Sequence, residues 1–118
     1  MNRTKNIDNT CELVKESLND TLNKKGYELR KQEYHKESFG SRFFVWVNRN
    51  DKHSFRLIWD GKDSWFVLEE SPYVNDSEKV AWADVTIVPF DSNIENLDYK
   101  TELINSIIEE INPPQSHS

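Results

Sequence analysis

Between Phe39 and Glu70, three runs dense in aromatic and β-branched residues are separated by two turn clusters, Asn48-Arg49-Asn50-Asp51-Lys52 and Asp60-Gly61-Lys62-Asp63. Side chains of the first kind suit pleated, half-buried backbone, and Asn, Asp and Gly supply turns, so the segment predicts a three-stranded antiparallel meander. A two-residue loop at Asn50-Asp51 opposes Trp46 with Phe55. A two- or four-residue loop around Gly61-Lys62 opposes Trp59 with Ser64 and Leu57 with Phe66. Because successive side chains alternate, one face then carries the rows Phe44/Leu57/Phe66 and Trp46/Phe55/Leu68. This is the expected core face, and only packed helices can bury it.

The flanking sequence supplies two such helices. Cys11, Val14, Leu18 and Leu22 recur at helical spacing after a capping box formed by Asn9 and Glu12, and Lys24-Lys25-Gly26 closes the run, which predicts a helix over residues 10–25. Near the C-terminus Leu103, Ile104, Ile107, Ile108 and Ile111 form an apolar stripe, with Asp98 as the expected cap and Pro113-Pro114 as the stop. Two further strands are predicted. Residues 27–36 alternate weakly and then turn polar, as an edge strand does, and Asp84 to Phe90 is a β-branched run. Residues 73–83 read equally as a short helix to Trp82 or as a loop. The expected fold is therefore α+β: an antiparallel sheet with a meander core, packed by N- and C-terminal amphipathic helices in the order α-β-β-β-β-(short helix or loop)-β-α. It forms a single domain over residues 1–112, followed by a disordered tail over 113–118.

Charge is unevenly spread. Net charge is −6, yet residues 1–68 carry thirteen Lys/Arg against ten Asp/Glu, whereas residues 69–118 carry two against eleven. An acidic field of this kind repels phosphate backbones and speeds encounter with a basic protein. No nucleic-acid partner is expected. No apolar run is long enough for a membrane span, and the single Cys11 cannot form an intrachain bridge, so the expected location is cytoplasmic.

The second sheet face carries the expected rows Phe43/Ile58/Trp65, Val45/Arg56/Val67 and Val47/Ser54/Glu69. A solvated face reads polar at alternate positions, and this one does not, so it requires a cover. One cover is intramolecular, by residues 73–83 or a helix, with Tyr73 and Trp82 on Trp65. Another is a protein partner or a second copy of the chain, for which Phe43, Val45, Arg56, Ile58, Trp65 and Val67 are the candidate binding residues; Arg and Trp are the anchor types enriched at interface hot spots.

Signatures of chemistry are absent. His35, His53 and His117 show no metal-ligand spacing with Cys, Asp or Glu, and His53 reads as an exposed residue beside a hairpin turn. Cys11 falls on the apolar stripe of the first helix and reads as a core residue. Asp60-Gly61-Lys62-Asp63 lacks the ligand run of a calcium loop. No cofactor, metal or catalytic residue is expected. In size, acidity and helix-flanked sheet the chain is similar to small bacterial immunity proteins of toxin systems and to secretion chaperones, a likeness of fold that transfers no residue role. The favoured function is a non-enzymatic protein-binding module for a basic partner, through either the acidic surface or the second face. The alternatives are a small enzyme or small-molecule binder, with Tyr73, Trp82, Arg42 and His35 converging between the sheet and residues 73–90, and a homodimer through the open face.

Overall fold

The computed structural model describes residues 3–72 and 81–112. Seven elements follow one another: α1 (Arg3–Asn23), β1 (Glu28–His35), β2 (Ser41–Asn48), β3 (His53–Asp60), β4 (Trp65–Pro72), β5 (Ala83–Pro89) and α2 (Leu97–Ile111). The strands form an antiparallel sheet in the order β1-β2-β3-β4-β5, so the α+β fold and its element order are as the sequence predicts. The expected tail over 113–118 and most of the ambiguous 73–83 segment lie outside the described residues.

Both helices pack on one sheet face. Val14, Leu18 and Leu22 of α1 and Leu103, Ile104 and Ile107 of α2 share a buried cluster with Phe44, Trp46, Phe55, Leu57, Phe66 and Leu68, the side chains assigned to the core face. Each is worth roughly 1.5–3 kcal/mol when fully buried, and together they hold two helices that would be marginal alone. An aromatic group joins α2 to the sheet: Trp59 and Phe66 lie 4.9 Å apart between ring centroids, Phe90 lies 5.9 Å from each, and Tyr99 stacks on Phe90 at 5.5 Å.

The helix boundaries differ from the sequence reading for polar reasons. Helix α1 begins seven residues earlier than expected, and Asn9 sits inside it rather than capping it. Its first turns are buried through Asn6 and Thr10: the Asn6 amide donates to the carbonyls of Ser92 (2.8 Å) and Ile94 (3.0 Å), and Thr10 donates to Asn6 O. A buried polar stripe leaves no apolar period to read. The other end of α1 is a glycine stop, with Gly26 at φ +93 and the Tyr27 N–H reaching Leu22 O. Asn96, not Asp98, caps α2, its side-chain oxygen accepting from the N–H groups of Asp98 and Tyr99.

One register also differs. Strands β2 and β3 pair as expected, Phe44 with Leu57 and Trp46 with Phe55. Strands β3 and β4 are slipped by two, with Leu57 opposite Leu68 and Trp59 opposite Phe66. The cause is the turn. The Asp60 carboxylate accepts from the N–H groups of Lys62 and Asp63, and Ser64 at φ +57 returns its N–H to Asp60 O, so the turn occupies Gly61–Ser64. Gly61 is required there because a Cβ would lie 1.9 Å from Phe39 O of the neighbouring turn. A slip of two keeps every side chain on its face. It changes who faces whom.

Candidate functional site

Phe43, Val45, Arg56, Ile58, Trp65 and Val67 share the sheet face opposite the helices, since Phe43 opposes Ile58, Ile58 opposes Val67 and Val45 opposes Arg56. None belongs to the helix-packed core. The altered register composes different rows. Phe43, Ile58 and Val67 now align with Ile87 on β5, while Trp65 moves to the sheet end between Asp60 and Pro89 rather than standing beside Ile58. Phe43, Val45, Ile58 and Trp65 are half-buried, Val67 is buried, and Ile87 is 44% exposed.

At the centre, the slip brings Arg56 opposite Glu69, where the sequence reading had Val67. The guanidinium donates from both Nε and Nη2 to Glu69 Oε1 at 2.6 Å, with the side chains only 23% and 12% exposed. It also lies 4.5 Å from the Trp82 ring centroid and 5.6 Å from that of Phe43. Charge, hydrogen bonding and two aromatic faces thus fix one Arg in the middle of an apolar surface. Trp82 accordingly covers Arg56, not Trp65 as the intramolecular reading expected, and Ser71 holds the approach by donating to Ala81 O at 3.0 Å. Tyr73 lies outside the described residues.

Along β1 the face becomes ionic. Lys31 and His35 both bond the Glu33 carboxylate at 2.8 Å, and these bonds, Lys31's first, hold that carboxyl below its usual range. The His35 ring stands edge-on to Phe43 at 5.1 Å. Arg42 lies on the other face, paired with Asp8 of α1 and 4.8 Å from the Tyr34 ring centroid. Arg42 and His35 therefore point to opposite sides of the sheet and do not converge with each other.

His53 is not the exposed turn residue expected from sequence. Its Nδ1 meets the Tyr27 hydroxyl at 2.8 Å and its Nε2 meets Glu70 Oε1 at 2.9 Å, a chain that no local pattern reveals because its members come from three separate segments. The chain does not activate Tyr27: burial, then the nearby Asp51 and Glu70 carboxylates, push its hydroxyl pKa up. The thiol of Cys11 is likewise pushed up to about 12 by burial, so neither group is a ready nucleophile at neutral pH. A surface depression of about 170 Å³ lined by Gly26, Glu28, Val47, Arg49 and Asn50 is smaller than the usual small-molecule site. Among the described residues no cluster of His, Cys, Asp or Glu could hold a metal ion, and no helix is long and apolar enough to cross a membrane.

Acidic residues collect on one side of the molecule because strand order follows chain order. Asp84 lies on β5, the last strand of the sheet, and Asp98, Glu102, Glu109 and Glu110 lie on α2, which packs against β5. Compared with protein families, curated proteins and solved structures, the chain matches none of them.

Proposed function

We propose that the protein is a non-enzymatic protein-binding module of the immunity or chaperone kind, engaging a basic partner through the second sheet face while the acidic side steers its approach. The observation that carries this reading is the division of the sheet: both helices bury one face, while the other keeps an apolar row ending in exposed Ile87 around the Arg56–Glu69 pair. Apolar surface surrounding a partly desolvated Arg and flanked by Trp is the composition of an interface hot spot. The buried thiol of Cys11 suits a reducing compartment, and we place the protein in the cytoplasm.

Affinity capture from the native host, repeated with Trp65→Ala and Arg56→Ala variants of verified fold, tests the proposal. A partner whose affinity falls by about 2 kcal/mol or more in each variant is expected. Full affinity in both would move the interface elsewhere. Sedimentation of the purified chain separates the homodimer alternative, because a dimer dissociated by the same substitutions would assign the face to a second copy.

A further inference from the structure

We propose that the outer edge of β5 accepts an extended, basic segment of a partner protein as an additional strand. The proposal rests on the protein-binding reading and adds a main-chain contact beside the sheet face. The two sheet edges are built differently. Both edge ladders carry an irregularity, between Leu29 and Lys31 in β1 and opposite Leu68 and Glu69 in β5, but only β1 has charged side chains along its middle, Arg30, Lys31 and Glu33, which stop an edge from pairing. In β5 the run Val85-Thr86-Ile87-Val88 has no charge.

The backbone of β5 has a free bonding side. The Phe90 N–H donates to Ser64 O at 3.0 Å, which continues the β4 pairing of Trp65 with Pro89. Alternation along an antiparallel ladder then turns Thr86 and Val88 towards β4, and turns the N–H and C=O of Ile87 and the C=O of Pro89 outward. Pro89 is tolerated because its missing donor falls on that outward side. Among the described residues no backbone bond engages these outward groups. The apolar row Phe43, Ile58, Val67 also ends at Ile87, so an added strand would place its next side chain about 5 Å further along the same row.

Charge selects the occupant. From β5 onward the described chain carries Asp84, Asp91, Glu95, Asp98, Glu102, Glu109 and Glu110 against Lys100 alone, and Lys100 is buried. A second copy with net charge −6 would bring this field against itself, whereas a strand bearing Lys or Arg neutralises it. Strand addition of this type takes affinity from main-chain bonds and specificity from alternate side chains.

The test uses the full chain, labelled with ¹⁵N, and a capped peptide of about nine alternating lysines and valines, long enough to span the strand. Saturable binding should slow exchange of the Ile87 amide, and replacing the peptide lysines by glutamates should weaken binding by about tenfold or more. In the protein, Ile87→Pro removes the outward donor without removing a ladder bond and should weaken binding by about tenfold, whereas Ile87→Ala keeps the donor and should retain most of it. No saturable binding, equal binding of the glutamate peptide, or protection confined to α2 would overturn the proposal. So would a dimer of the free chain that Ile87→Pro dissociates. Arg56→Ala and Trp65→Ala probe the face and Ile87→Pro probes the edge, so either reading can fail alone.

Discussion

Removing Arg56 should cost far more than a surface ion pair is worth. Exposed pairs contribute about 0–1 kcal/mol, but the Glu69 carboxylate keeps only 12% of its side-chain surface and receives two donors from Arg56 at 2.6 Å. Bonds to charged groups are worth about 1.5–3 kcal/mol, and the stacked guanidinium adds about 0.5–1 kcal/mol against Trp82 at 4.5 Å. Arg56→Ala is therefore expected to lose about 2–4 kcal/mol, because it also strands a poorly hydrated carboxylate. Glu69→Ala should lose less, since the guanidinium remains stacked and is 23% exposed. Urea unfolding of wild type, both single variants and the double variant gives the coupling energy, expected at about 1–2 kcal/mol and little changed by 1 M salt. A coupling below about 0.3 kcal/mol would refute the reasoning, because the pair would then behave as a solvated one. Replacing both residues by apolar ones of similar volume should be near neutral for stability yet remove the polar anchor from the face.

Leu57→Ala, which empties a fully buried site opposite Phe44 and Leu68, should cost about 2–5 kcal/mol in chemical denaturation, and Ile107→Asp should be as severe because it puts a charge beneath the sheet. Cys11, whose pKa is raised from 9.0 to about 12, should be alkylated at pH 8 about a thousandfold more slowly in the native chain than after unfolding; comparable rates would take it out of the core. Tyr27 has a folded pKa above its ordinary value of 10.0, so its contribution is fully present below that value and is lost as pH rises through the folded one. Alkaline melts should show stability falling above pH 10.0, less steeply in Tyr27→Phe.

Faces were legible in the sequence, and partners across them only in part. Alternation in Phe43–Val47, Phe55–Trp59 and Trp65–Leu68 assigns each side chain to a face by parity, and parity survives a slip of two residues. Register depends on turn detail. The Asp60 carboxylate and the left-handed Ser64 extend the second turn to Ser64, which no composition rule specifies, and the Arg56–Glu69 pair follows from that extension. Buried polar residues were missed for a related reason: Asn6 ties the start of α1 to Ser92 and Ile94, 86 and 88 residues away, Thr10 bonds back to Asn6 O within the helix, and Tyr27, His53 and Glu70 come from three separate segments. The six candidate residues share one face as parity predicts, and five of them, all but Arg56, stand out in the sequence because apolar side chains at solvent-face positions break the pattern of a half-buried strand.

The direct test of the second face as the interface is methyl NMR of the chain with its captured partner. The account predicts shifts or broadening at Val45, Ile58, Val67 and Ile87, with Leu57, Leu68, Leu103 and Ile107 in the helix-packed core unchanged. Perturbation confined to the helices, with those four face methyls unmoved at saturation, would contradict it.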